Sequence, residues 1–492
     1  MKKSQNQRLF PQTDPSVRLM AEQSFSRAAG APHVEGNSVR LLKDADENYP
    51  AWLDAMRSAM KSIHFENYMI YDDGIGSQFA DVMIARAEEG VKVRVIYDWL
   101  GTLGTASRRY WKRLKDAGVE VRCFNPPRLD RPFGWVNRDH RKMIAIDGTV
   151  GFVTGLCVGQ MWVGYPERSI DPWRDTGIMI TGPAVSDIEH AFADIWSTMG
   201  PALPHDEVSD RSAIHPTGDV SLRVVASAPY TTGLFRLDQL ISSVARETLW
   251  LTDAYFIGMS PYVQALAAAA QDGVDVRLLV PGTTDIPFLS SISRAGYQPL
   301  LEAGVRIFEW NGQMLHAKTA VVDGKWARIG STNLNISSWL GNYELDVAVE
   351  DQSFSRAMEE MYLEDLSRST EIVLGRRRAA LPVNRRTRPR HHLPGRSKGS
   401  ISRAGVGAMR VGNVLGAAIS HRRTLEPAEA KLMLGAGAIL LALAALFVLW
   451  PQWLAIPFVI ICSWLAVALF LRAVRLILDH RRNNDGESHP SG

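Results

Sequence analysis

The sequence predicts an α/β protein of two repeated units. Each unit is a mixed sheet flanked by helices, the two are packed about a pseudo-twofold axis, and a C-terminal transmembrane helical hairpin follows. Two observations predict this. Four blocks of sequence recur in the same order in the two halves of the chain, and two long stretches near the end carry no charge.

The repeat is read block by block. SIHFENYMI (from 62) and TLWLTDAYF (from 248) are buried-strand patterns. EEGVKVRVIYD (88–98) and QDGVDVRLLVPG (271–282) each end a helix at a Gly and continue as a Val-rich strand. AGVEVRCF (117–124) then matches AGVRIFEW (303–310), and DHRKMIAIDG (139–148) matches LHAKTAVVDG (315–324). Matching blocks in matching order imply two copies of one α/β unit. Between the strands, YPAWLDAMRSAMKSI (49–63) has an apolar stripe at helical spacing through Trp52, Leu53, Met56, Met60 and Ile63. FRLDQLISSVARE (235–247) takes the corresponding place in the second copy. Helices alternating with strands predict a sheet covered on both faces.

The expected division is an N-terminal extension (1–37), a first repeat (38–200), a Pro-, Ser- and Asp-rich linker (201–218) and a second repeat (219–370). A basic tether (371–430), the membrane hairpin (431–475) and a polar tail (476–492) complete it. The tether is Arg-rich and cannot bury a core. The hairpin comprises Leu432 to Trp450 and Leu454 to Leu471, each near the roughly 20 residues of a span. Basic residues flank it at Arg422, Arg423, Lys431, Arg472 and Arg475, which predicts both ends on the cytoplasmic side of a membrane.

Composition narrows the chemistry. The chain has 492 residues, 46% hydrophobic, 22% charged and a net charge of +3, so globular cores are expected. Cys123, Cys157 and Cys462 show no CxxC or metal-ligand spacing, so neither a disulfide framework nor a zinc site is expected. No export signal is evident in residues 1–30.

The residues that carry chemistry are His140-x-Lys142-x4-Asp147 and His316-x-Lys318-x4-Asp323, at equivalent places in the repeat. On a strand, residues two apart share a face, so each copy presents an imidazole beside an ammonium. A twofold arrangement would gather both over one pocket. Such a pocket suits a phosphodiester. Lysines stabilise its charge, one histidine attacks phosphorus, and the other protonates the leaving alkoxide. The lysines supply the positive charge, so no metal or other cofactor is expected. Asp147 and Asp323, each followed by Gly, fit either the site or a turn between strands. Glu66 and Asp253 end matching strands and are candidates either to line the pocket or only to cap loops.

These paired motifs resemble the phospholipase D superfamily, and the wider match, from about Ser38 to Leu366, resembles bacterial cardiolipin synthases. The resemblance implies a phosphatidyltransferase acting on phosphatidylglycerol through a covalent phosphohistidine, with His140 as nucleophile and His316 as acid and base. It further implies that Ser331 and Asn333, in IGSTNLNISSW (329–339), lie beside the phosphate. Glu344, in NYELDV, and Asp175, in WRDTGIM, would be the carboxylates that orient the histidines. One departure is TGLC (154–157), with Cys157 where the family usually has Asn. The expected partners are phospholipid and membrane rather than nucleic acid. The alternatives are a hydrolytic phospholipase D or nuclease, and a catalytically inactive lipid-binding scaffold. The sequence leaves the oligomeric state and the acceptor alcohol open.

Overall fold

Local chemistry sets where the elements begin and end. A computed structural model describes residues 15–128, 136–286, 292–373 and a set of helical positions between 438 and 470. The first long helices are α1 (Pro15–Ala29), α2 (Asp44–Arg57), α3 (Gly74–Glu88) and α4 (Arg108–Asp116). α2 opens with Asp44, Asp46 and Glu47, whose charge complements the helix N-terminus. Asp73 caps α3 through the N–H of Gly76, and Ser107 caps α4 through that of Tyr110. α2 ends at Arg57, short of the expected stripe to residue 63: Met60 is exposed and Ile63 lies in a strand. The reason is the Asp147 carboxylate, which accepts the N–H groups of Met60, Lys61 and Ser62 and draws the chain out of helix.

The first repeat contributes β1 (Val34–Lys43), β2 (Ser62–Asn67), β3 (Lys92–Asp98), β4 (Glu120–Phe124), β5 (Arg138–Asp139), β6 (Lys142–Ile146), β7 (Val150–Thr154) and β8 (Thr176–Thr181). The second contributes β9 (Val220–Ser227), β10 (Thr248–Thr252), β11 (Asp275–Pro281), β12 (Arg306–Trp310), β13 (Thr319–Val322), β14 (Trp326–Gly330), β15 (Asn342–Glu350) and β16 (Ser369–Ile372). They join one sheet in the order β16–β12–β11–β10–β13–β14–β15–β9–β1–β8–β7–β6–β2–β3–β4, with β5 set beside β15.

That order carries the symmetry. Outward from β1 run β8, β7, β6, β2, β3 and β4; outward from β9 run their counterparts β15, β14, β13, β10, β11 and β12. β1 and β9 meet antiparallel, Val34 opposite Leu222 and Asn37 opposite Val220, which places the pseudo-twofold axis between them. Buried Asn37 closes this junction. Its amide donates to the carbonyls of Val34 and Val220 and accepts the N–H of Ala184.

Helices cover both faces, as expected. One core is shared by the two repeats and uses α5 (Val185–Thr198) and the helix Gln352–Ser367, with Ile178, Ile180, Leu345 and Val347 between. The opposite face has a separate core in each repeat, one built with α2, α3 and α4, the other with α6 (Gly233–Val244) and α7 (Ser260–Gln271). The expected boundaries shift at two places. β1 starts at Val34, inside the expected N-terminal extension, and Phe25 and Ala29 of α1 are buried against Leu234 and Leu237 of the second repeat. β16 extends the second repeat to Ile372, where the tether was expected.

A second compact unit comprises Asn125–Asn137 and Ser400–Gly492. Within it, residues 456–464 are helical and Ile456, Phe458, Val459 and Ile460 are exposed. The expected tether, hairpin and tail lie largely outside the described residues. Among the described residues no helix is long and apolar enough to cross a membrane.

Candidate active site

The two histidine motifs sit at one end of the central strands, each held by the other repeat. His140 and His316 precede β6 and β13 rather than lying in them, so the expected strand placement applies to Lys142 alone. The segment Arg138–Asp139 instead runs parallel to Asn342–Tyr343, and the His140 N–H donates to the Tyr343 carbonyl at 2.9 Å. The second repeat mirrors this. Leu315 bridges Arg174, and the His316 N–H donates to the Arg174 carbonyl at 2.7 Å.

The next residue on each receiving segment is a carboxylate. Glu344 Oε2 lies 2.9 Å from His140 Nδ1, and Asp175 Oδ2 lies 2.7 Å from His316 Nδ1. The first repeat's histidine is thus oriented by the second repeat's acid, and the reverse. With Nδ1 engaged, Nε2 of each ring is the atom left for chemistry. Both acids are fully buried and further satisfied. Glu344 accepts from Ser331 Oγ at 2.5 Å and from the Asn342 amide at 3.2 Å. Asp175 accepts from the Trp162 indole at 3.2 Å and the Thr176 N–H at 2.9 Å.

The lysines complete a charged cluster. Lys142 Nζ donates to the His140 carbonyl at 2.5 Å, and Lys318 Nζ donates to the His316 carbonyl and lies 2.9 Å from His316 Nδ1. Burial pushes His140 below the ordinary histidine value, opposed by Glu344 and reinforced by Lys142 and Lys318. Burial and Lys318 push His316 down to about 3, with Lys142 adding to the effect. Each histidine therefore feels the lysine of the other repeat, as a single site requires. Burial would raise both acids, but His140 and Lys142 hold Glu344 low, and His316 and Lys318 hold Asp175 low. Burial also lowers Lys318 to about 8. At neutral pH the two imidazoles are thus neutral, set between the carboxylates and the lysines.

The remaining candidates fall in three places. Ser331 is in the site through Glu344, and Asn333, also buried, has its side-chain oxygen without a partner. Asp147 and Asp323 lie at the far ends of β6 and β13 from the histidines. Both take positive φ, at 55° and 51°, in hairpin turns. Asp323 accepts the N–H groups of Arg246, Glu247 and Thr248, as Asp147 does those of residues 60–62. Their contacts are thus with backbone, away from the imidazoles. Asp253 is buried, accepts the N–H groups of Leu334 and Tyr255, and is raised by burial to about 7. Ile63 pairs with Ile146 and Leu249 with Val322, so the counterpart of Asp253 is Asn67 and not Glu66. Cys157 occupies the position of Asn333; burial raises its thiol, which stays protonated.

Two arginines escaped the sequence reading. Buried Arg141 donates to the carbonyls of Glu344 (3.2 Å), Ala191 (2.7 Å) and Ser227 (3.2 Å), tying the His140 turn to three elements. Arg174, whose carbonyl receives His316, is paired with Asp365 at 2.9 Å and Asp44 at 3.0 Å. Neither stands out in the sequence, because Arg141 lies among the polar residues Asp139, His140 and Lys142 and Arg174 lies beside Asp175.

Comparison with known proteins agrees with this geometry. Residues 52–196 and 237–366 match the family "Cardiolipin synthase, PLD-like domain". The chain is 34% identical over 340 residues to the cardiolipin synthase of Alkalihalophilus pseudofirmus, covering 68% of this chain and 67% of that one. It is 33% identical over 351 residues to cardiolipin synthase A of Pseudomonas fluorescens, covering 69% and 71%. Its fold is similar to the crystal structure of phosphatidylserine synthase from Haemophilus influenzae, with a TM-score of 0.55 and 14% identity, covering 71% of this chain and 92% of that one. Matched through both repeats and in both histidine motifs, the chain belongs to the phospholipase D superfamily, in its cardiolipin synthase family.

Proposed function

We propose that the protein is a cardiolipin synthase-type phosphatidyltransferase acting on phosphatidylglycerol. The observation that carries this is the reciprocal histidine–carboxylate exchange, which commits both motifs to one site. His140 Nε2 attacks phosphorus, the bond from phosphorus to the glycerol oxygen breaks, and His316 passes a proton to that oxygen. Phosphatidyl-His140 results, its Nδ1–H still donated to Glu344. The acceptor alcohol then gives its proton to His316, its oxygen attacks phosphorus, and the phosphorus–nitrogen bond breaks. Lys142 and Lys318 stabilise the charge on the non-bridging oxygens, with Ser331 and Asn333 beside the phosphate. Asp147 and Asp323 support the fold rather than the chemistry.

Accessibility supports this order, since the His140 side chain is 12% exposed and that of His316 3%. His316 can act as an acid only once a bound phosphate anion raises it from about 3. The apolar stretch 431–475 is proposed to hold the enzyme at a membrane where its substrate is concentrated, with the repeats on the cytoplasmic side.

Purified full-length protein with head-group-labelled phosphatidylglycerol tests the reading. Cardiolipin and free glycerol are the expected products. Phosphatidic acid without cardiolipin would replace transfer by hydrolysis, and cleavage of DNA but not of lipid would reject a lipid substrate. Either His140→Ala or His316→Ala is expected to lower turnover at least about a thousandfold.

A further inference from the structure

We infer that the loop 99–107 and the start of α4, together with Tyr230, form a docking edge that seats the mouth of the active site on an anionic lipid bilayer. The inference rests on the proposed lipid substrate and concerns how the site reaches it. The loop is built onto the His140 side of the site. It starts from Asp98, whose carboxylate accepts the Asp139 N–H, one residue before His140. Gly101 lies so close to Tyr68 that a Cβ there would meet the Tyr68 carbonyl at 2.1 Å, and the Tyr68 ring is 4.8 Å from the His140 ring. Thr105 is bonded on both sides to this segment, its hydroxyl to the Ile70 carbonyl and its own carbonyl to the Asp72 N–H. The loop is therefore fixed in place beside the site.

What it presents outward is apolar and then basic. Leu103 is 55% exposed on this anchored loop. α4 follows at once, burying Tyr110, Trp111 and Leu114 and exposing Arg108, Arg109, Lys112, Arg113 and Lys115. Lys112 and Arg113 pair with Asp116 and Asp81, but Arg108 and Arg109 have no ion pair among the described residues. Both stand in the first helical turn, where positive charge opposes the helix dipole, so the helix itself gains nothing from them. Tyr230 follows β9, whose end lies opposite Glu344, so it too is at the site end; it is 84% exposed at positive φ. An apolar tip, an amphipathic tyrosine and exposed arginines around a phospholipid site complement the acyl boundary and phosphate layer of an anionic leaflet.

The test uses full-length protein with a polarity-sensitive fluorophore on Leu103→Cys in a Cys462→Ser background, read against that background alone. It is mixed with phosphatidylcholine vesicles, with or without phosphatidylglycerol. The label is expected to move to an apolar environment and be shielded from an aqueous quencher only when phosphatidylglycerol is present. Arg108→Glu with Arg109→Glu is expected to return it to water and to lower kcat/KM on vesicles about thirtyfold. Turnover of monomeric short-chain phosphatidylglycerol should stay within about twofold. A label that stays in water on both vesicles, or that ignores the charge reversals, overturns the inference. So does a lipid-independent shift that grows with protein concentration, which would assign the edge to a second copy of the chain. If the wild type turns over neither substrate, the proposed reaction fails, while the fluorescence result still decides docking.

Discussion

The two halves of the site share a topology but not a chemistry. On the His140 side, Glu344 is backed by Ser331 and Asn342, and Arg141 ties its strand to the histidine turn. On the His316 side, Gly155 stands in the place of Ser331, because a Cβ there would come within 2.1 Å of Asp175 Oδ1. Trp162 and a backbone N–H satisfy the shorter acid instead, and Ala317 stands in the place of Arg141. The glutamate half is a hydrogen-bonded network around a partly exposed imidazole; the aspartate half is a tighter, drier clamp around a buried one. The two histidines, alike in their motifs, thus stand in different environments, which would suit the two roles proposed for them.

The largest effects should come from the two acids. Glu344→Gln and Asp175→Asn are each expected to lower kcat about a hundredfold or more, because the histidine loses its orienting charge. Rapid-quench measurement of the phosphoenzyme should show Glu344→Gln slowing mainly its formation. Asp175→Asn should slow its discharge as well. Equal effects of both variants on both steps would erase the assigned division of roles.

Next come Asp147→Ala and Asp323→Ala. Each removes a carboxylate accepting three backbone N–H groups and leaves a non-glycine residue at positive φ. A loss of about 2–3 kcal/mol in denaturant melts is expected, with kcat per folded site within about threefold. A hundredfold fall in kcat without loss of stability would return these aspartates to the chemistry.

Outside the site the halves differ again, at His64 and its counterpart Trp250. His64 stacks on Phe192 at 4.7 Å with neither ring nitrogen bonded, whereas Trp250 stacks on Tyr362 at 5.4 Å. Burial, aided by Arg94, lowers His64 from 6.5 to about 4. The unfolded chain therefore binds the extra proton between those values, and stability falls as pH drops through that window. Between pH 7 and pH 5 the wild type should lose about 2 kcal/mol that His64→Leu does not lose, measured by paired melts.

The smallest effect is expected at Cys157→Ala, with kcat/KM within about threefold, because its thiol is a weak hydrogen-bond partner. Asn333→Ala at the equivalent position should cost about tenfold. Equal losses would mean that both halves grip the phosphate alike.

The repeat was legible because strand blocks, Gly-stopped helices and the two HxK motifs recur at matching places. The Asp-Gly pairs were legible as turns but not as anchors, since the N–H groups they bind lie more than 70 residues away. The exchange of carboxylates was out of reach for a related reason. Sequence order shows which unit carries Glu344 and which His140, but only the β1–β9 junction decides that acid and base meet across the units. The division at residue 37 failed because α1 has little apolar periodicity, although Phe25 and Ala29 complete the second repeat's core.

The crossed acids have a further consequence. Cut within the linker 201–218, the chain would yield two fragments, each holding an imidazole without its acid and an acid without its imidazole. Neither fragment alone could turn over substrate, whereas mixing them should restore activity to the extent that they reassociate. Assembly of the halves would then be the switch that turns inert parts into a catalyst.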